Sequence, residues 1–177
     1  LPPEKKKIVT ANIDALTKVQ PAELTAGEIG VRIGANWVPI EIYEEFIFEL
    51  LGTNSYARRR MKILCPSCSR QWNIAEKRAD RSNVKAFTTY GTKRMDAYHI
   101  FEQTLNQKDV RVFDYIEDEN GNKKAVLNKK ETAIAQDRQE LIKTKFSEWI
   151  WKDIDRRERL CRIYNETFNS IRPREYN

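Results

Sequence analysis

The run from Val110 to Glu131 most constrains what this chain can become, because it places a strand pair and a helix start back to back. Val110-Arg111-Val112-Phe113-Asp114-Tyr115-Ile116 alternates apolar and polar residues, the period of a half-buried strand. Glu119-Asn120-Gly121-Asn122 carries an Asn-Gly turn signal and Ala125-Val126-Leu127 returns, so residues 110–127 predict an antiparallel hairpin. Asn128 and Glu131 follow in N-x-x-E spacing, where each side chain can satisfy a free backbone N–H of a first helical turn. A long helix is predicted from there to about Trp151, with Ile134, Leu141, Ile142, Phe146, Trp149 and Ile150 as its apolar stripe. The fold class is therefore α+β.

The other elements fit that class. Residues 3–19 form a weakly periodic helix, ended by Pro21. Residues 29–34 alternate weakly and read as either an extended segment or a loop. A strong helix spans 39–51, with Pro39 in its first turn, Ile42, Phe46, Leu50, Ile47 and Leu51 at i, i+4 spacing, and Gly52 just beyond its end. Trp37 and Phe46 are core residues or a ligand platform, and packing is the simpler reading. Residues 61–74 predict a second hairpin turning on Pro66-Ser67-Cys68-Ser69, and Val84–Phe87 a third strand. Tyr90-Gly91-Thr92 reads as a tight turn with Thr92 as N-cap of a helix over 93–105. Asp153 caps a last helix, 154–168, with Ile154, Cys161, Tyr164 and Phe168 on one face. Almost no linker separates it from the long helix, so the two pack as a hairpin or form a sharply bent rod. Two regions follow: an α+β module over 1–127 and a helical extension over 128–177.

Charge is distributed unevenly. The chain carries a net +6, but between Arg58 and Arg94 eleven Lys and Arg residues (58, 59, 60, 62, 70, 77, 78, 81, 85, 93, 94) face only Glu76 and Asp80, a local +9 that leaves −3 for the remainder. A concentrated basic segment interleaved with Trp72, Phe87, Tyr90 and Tyr98 is what a polyanion-binding face requires. Arg58, Arg59, Arg60, Lys62, Lys85, Lys93 and Arg94 are the predicted phosphate contacts, with Trp72 and Tyr90 as aromatic partners. Lys93 and Arg94 would open the 93–105 helix, the wrong sign for a helix N-terminus unless an anion sits there; the plainer alternative is that both point into water.

Catalytic patterns are missing. The single His cannot build a His-rich metal site, and the sequence contains no G-x-S-x-G, H-E-x-x-H or phosphate-binding G-x-x-x-x-G-K-[ST]. Cys65 and Cys68 form a C-x-x-C pair on a predicted turn, half of a zinc site whose second half is absent; two ordinary thiols are the default. Three cysteines offer no disulfide framework and fit a reducing cytosol. No apolar run approaches the roughly 18 residues that suggest a membrane span. No signal peptide is visible, and the chain reads as an excised piece of a longer protein.

Five ordered motifs carry a resemblance. Val31-Arg32-Ile33-Gly34-Ala35-Asn36-Trp37-Val38-Pro39 is similar to R-L-G-x-x-W-I-P, and Tyr90–Arg94 with Ala97-Tyr98 is similar to Y-G-T-K/R-R-x-x-A-Y. Val126–Thr132 resembles V-L-N-K-K-E-T, Trp149–Glu158 resembles W-V/I-W-x-D-x-x-R-R-E, and Tyr164–Arg172 resembles Y-N-x-x-F-N-x-x-R. Together they resemble a segment of very large bacterial, phage and conjugative-element proteins that join an adenine-specific DNA methyltransferase to a Snf-type, superfamily-two helicase. The resemblance implies a DNA-processing parent that uses S-adenosylmethionine, and ATP with magnesium, in domains other than this one. It implies no cofactor and no catalytic residue here, and the Cys65-Pro66-Ser67-Cys68 turn departs from its pattern. The expected function is a non-catalytic inter-domain module that contacts DNA and couples the two enzymatic domains. The alternative is a spacer that docks to its flanking domains and never touches DNA.

Overall fold

Five of the six α-helices among the described residues start on a short polar side chain that reaches a free backbone N–H of the first turn; the helix that follows Pro39 has no such cap. A computed structural model describes residues 22–169; the helix predicted over 3–19 lies outside them. Helix α1 spans Ile40–Leu51 and ends at Gly52, whose left-handed backbone (φ 61°) returns its N–H to Glu49 and Phe48. Asn54 caps α2, Ser55–Arg60, and Asn83 caps α3, Val84–Phe87. Asp96 caps α4, Ala97–Leu105, Asn128 caps α5, Lys129–Ile150, and Asp153 caps α6, Ile154–Tyr164. Strands β1 (Lys62–Leu64) and β2 (Asn73–Ala75) form one antiparallel ribbon, β3 (Phe113–Glu117) and β4 (Lys123–Leu127) the other. The α+β class with two short hairpins and a C-terminal helix pair is what the sequence predicts.

Two elements differ from expectation. Residues 84–87 are a helical turn instead of a strand, because the Asn83 side chain accepts from Lys85 N at 3.1 Å and nucleates it. The fourth helix begins at Ala97, not Lys93. The Thr92 hydroxyl accepts from Met95 N at 2.9 Å and closes a separate turn, leaving Asp96, the stronger cap, to accept from His99 N at 2.9 Å.

The first ribbon is shorter than predicted because helices satisfy its edges. Its register pairs Lys62 with Ala75, Ile63 with Ile74 and Leu64 with Asn73. Beyond that point Asn106, at the end of α4, acts as the strand partner: it accepts from Trp72 N at 2.7 Å and donates to Trp72 O at 2.9 Å. Carboxylates take the remaining edge donors, Glu44 from Ile63 N (3.0 Å) and Glu102 from Ile74 N (2.8 Å). Asn106→Ala is expected to lower stability by about 1–3 kcal/mol, the cost of stranding part-buried backbone groups. A urea midpoint equal to that of the parent chain would disprove this role for Asn106.

The second hairpin turns on Asp118, which accepts from Asn120 N and Asn122 N, with Gly121 at φ 78°. It leads into α5, whose buried positions are Thr132, Ala135, Gln139, Ile142, Phe146 and Ile150. Thr132 and Gln139 lie off the predicted apolar stripe. They are buried because they satisfy an irregular segment: Thr132 Oγ1 accepts from Val112 N at 2.9 Å, and Gln139 Oε1 accepts from Val110 N while its amide donates to Lys108 O.

Aromatic rings from three helices close the core. Phe46 of α1 meets Phe146 of α5 edge-on at 5.1 Å and Phe101 of α4 at 5.8 Å; Tyr43 stacks on Phe146 at 5.8 Å. Phe46 is 1 % exposed, so it is packing and not a ligand platform. The Tyr43 hydroxyl accepts from Gly34 N and donates to Ala35 O, which ties the 31–39 loop down; burial pushes its pKa well above the ordinary range. Gly34 sits at φ 94° with no room for a Cβ against Leu105 O.

The described residues fall into two compact units, Val31–Lys152 and the pair of segments 22–30 and 153–169. The 127/128 boundary read from the sequence lies inside the first unit, because α5 supplies its core through Ile142 and Phe146. In the other unit Asn165 acts as a two-way clamp, accepting from Leu24 N at 2.8 Å and donating to Leu24 O at 2.9 Å. Arg156 and Leu160 are its buried helix positions, whereas Ile154 and Phe168, expected on the apolar face, are exposed.

Candidate nucleic-acid interface

The basic segment is held together by one buried acid. Asp80, 2 % exposed at the end of a single 3-10 turn (Lys77–Asp80), accepts from Tyr98 Oη at 2.5 Å, Asn83 Nδ2 at 2.7 Å and Asn54 Nδ2 at 3.3 Å. Tyr98 Oη also shares a 2.7 Å hydrogen bond with Thr53 Oγ1, and Asn83 donates to Leu51 O at 2.9 Å. Burial, then the bond to Asp80, raises the Tyr98 pKa well beyond its ordinary range, so the phenol stays a donor. The end of α1, α2, the 3-10 turn, α3 and the start of α4 are thus joined around one carboxyl group.

A second tie lies at Gly91. A Cβ at this position would collide with the carbonyl oxygen of Ala86, and Tyr90 N donates to Lys85 O at 3.0 Å. The turn carrying Lys93 is thereby pressed against α3, which carries Lys85.

The predicted contact residues fall into three groups. Arg59, Lys62, Lys85 and Lys93 are exposed and have no carboxylate partner among the described residues. Arg58, Arg60 and Arg94 are exposed but occupied. Arg58 Nε donates to Thr53 O at 2.7 Å, and its Nη2 donates to Phe48 O in the last turn of α1 at 3.3 Å. Arg60 bonds the Tyr56 hydroxyl at 2.6 Å and pairs with Glu76 at 3.4 Å, and Arg94 grips β3 through Asp114 (2.9 Å) and Phe113 O (3.0 Å). The aromatic partners form the third group, and Trp72 corrects the expectation: it is 5 % exposed, edge-on to Tyr43 at 5.3 Å, and cannot offer a face to a base. Tyr90 is half-buried.

Lys93 and Arg94 also lose their place at a helix start, since α4 begins three residues after Arg94 and is capped by Asp96. No helix terminus is left beside them to hold an anion. The predicted set omits Arg70, Arg78 and Arg81, which are exposed and lack a carboxylate partner among the described residues. Their signal is the same basic run; nothing local sets them apart from the seven cations in that set.

The opposing acids contribute less at the surface than a charge count implies. Asp80 is buried among neutral donors, and Glu76 is engaged by Arg60. Lys77 is held by Glu102 at 2.5 Å. What remains is a stretch of solvated cations on a frame fixed from beneath, able to contact phosphates without ordering long loops first.

Cys65 and Cys68 are free thiols, the first half-buried and the second exposed. Among the described residues no group of three or more His, Cys, Asp or Glu is placed to hold a metal ion. No helix of the described residues is long and apolar enough to cross a membrane. No curated protein and no solved structure matches this chain. One family model does, described as "Domain of unknown function (DUF8437)"; it matches residues 32–170, through both ribbons and the whole of α5 and α6, and the chain belongs to that family.

Proposed function

We propose that this domain is a non-catalytic module that contacts DNA, set in a parent protein that joins an adenine-specific methyltransferase to a Snf-type helicase, and that it couples those two activities. The observation that supports DNA contact is the set of solvated cations at Arg59, Lys62, Arg78, Arg81, Lys85 and Lys93, since the two acids within the Arg58–Arg94 segment, Asp80 and Glu76, are respectively buried and already paired. The helicase and methyltransferase context rests on the motif resemblance.

Titration of a labelled duplex at two salt concentrations tests it. If four of these cations reach phosphates, raising salt from about 50 to 200 mM weakens binding by about a hundredfold. Binding that is absent, or indifferent to salt, would refute DNA contact.

A docking spacer is the second reading. It is favoured by Arg58, Arg60 and Arg94, which act inside the domain as fasteners. Lys85→Glu with Lys93→Glu separates the two, because neither side chain holds the fold. Lost duplex affinity supports the first reading, and lost docking to a flanking domain with duplex affinity unchanged supports the second.

A further inference from the structure

A cleft away from the basic segment in sequence gathers more positive than negative charge around an apolar floor. It has a volume of about 260 Å³ and is half-enclosed, with Arg32, Lys108 and Lys143 among its lining residues, Asp109 as its one carboxyl group, and Phe146 beneath. The volume lies just below the roughly 300–1,000 Å³ of ordinary small-molecule sites. The Arg32 guanidinium and the Lys108 ammonium have no hydrogen-bond or ion-pair partner among the described residues. The Lys143 ammonium pairs with Glu140, one turn back on α5, at 3.1 Å. With Asp109 and the Glu140 that pairs Lys143 both counted, three cations leave a surplus of one positive charge, carried by the unpaired Arg32 and Lys108 over a buried phenyl ring, and low-dielectric walls concentrate such a field.

The walls are rigid. Lys108 follows α4 in a tight helix-ending motif, its N–H on Gln103 O at 2.9 Å and that of Gln107 on Thr104 O at 3.0 Å. That motif places Gln107 at φ 59°, where glycine is the usual occupant. The glutamine side chain is used instead to donate to Ile33 O at 2.5 Å, which fixes the loop carrying Arg32. A non-glycine residue held in the left-handed region at the rim of a cleft is the kind of strain that persists where geometry matters.

We propose that this cleft binds a small phosphoryl-bearing ligand, the Arg32 fork taking two oxygens and Lys108 supplying a second, unpaired cation, with Lys143 at the edge. A planar guanidinium matches phosphate bidentately, an ammonium supplies a point charge, and two unpaired cations of different shape suit a phosphoryl group with several oxygens better than a single carboxylate. The cleft's size fits a compact ligand and not a duplex. The proposal is independent of DNA contact by the segment from Arg58 to Arg94.

Calorimetric titration of the whole chain with inorganic pyrophosphate in magnesium-free buffer tests it. Binding in the micromolar to millimolar range is expected, weakened by about tenfold or more in Arg32→Ala and in Lys108→Gln and strengthened in Asp109→Asn. Both cationic side chains are exposed and make no bonds among the described residues, so these variants keep the parent's melting temperature. Lys93→Ala leaves pyrophosphate affinity unchanged. Absence of binding up to about 5 mM pyrophosphate would overturn the site, since that is weaker than millimolar affinity. So would affinity that Arg32→Ala and Lys108→Gln do not alter. A short duplex added in excess is expected to leave pyrophosphate bound; displacement that requires Arg32 would show a backbone-phosphate groove and overturn the small-ligand assignment.

Discussion

Gly91→Ala is expected to lower the stability of the domain by about 3 kcal/mol, a large fraction of the roughly 5–15 kcal/mol that holds a typical domain folded. The reason is spatial and not conformational. The Gly91 backbone is not in the left-handed region, so alanine suits its torsions, but the new methyl group would overlap the carbonyl oxygen of Ala86. Ala86 is fully buried and cannot retreat without moving α3 away from the turn. Gly30→Ala is the matched control: a Cβ there meets nothing within 4 Å, and its effect should stay within about 0.5 kcal/mol. Urea denaturation of the two variants checks the pair. Equal midpoints for Gly91→Ala and the parent chain would show that the turn and α3 are not pressed together.

Asp80→Ala is expected to cost a similar amount, about 3 kcal/mol, because it strands three donors that converge on one buried carboxyl group. Tyr98→Phe isolates one of those bonds. It keeps the ring in the core and removes only the hydroxyl, for about 1.5–3 kcal/mol. The double variant should cost less than the sum of the two, with a coupling of about 1 kcal/mol or more, since both changes delete the same 2.5 Å contact. Strict additivity would mean that Asp80 and Tyr98 act separately. Duplex affinity offers a second readout under the DNA-contact reading. Loosening this hub frees α2, the 3-10 turn and α3 from one another, so the cations they carry would have to be ordered on binding and affinity would fall.

The motifs that read as functional signatures along the chain are largely fasteners in the fold. Gly34 packs on Leu105 O, Tyr98 bonds Asp80, Thr132 holds Val112, and Asn165 clamps Leu24. Asn128 and Asp153 cap helices. A motif read along a chain cannot separate a residue that meets a ligand from one that meets another part of the same fold, because both need a fixed side chain at a fixed place. Arg58 and Arg94 show the same ambiguity among cations: both are exposed and basic, yet each is bound to the carbonyl of another segment.

Local chemistry determined most of the elements from sequence alone. The Asn-Gly turn of the second hairpin, the Asn128 cap, the glycine after α1 and the apolar spacing of α4 are set by residues within a few positions of one another. Where two local signals compete, the sequence does not say which prevails. Thr92 and Asp96 both offer a cap four residues apart, and the carboxylate wins; Asn83 turns a short apolar run from strand to helix. The site is a different matter. That Trp72 faces Tyr43, that Gln139 is buried, that Asp80 gathers Asn54, Asn83 and Tyr98, and that Arg32 and Lys108 share one cleft depend on segments brought together by the fold. A chain's periodicity tells which residues want to leave water. Only the packed helices decide which polar groups are carried in with them, and which charges are left outside.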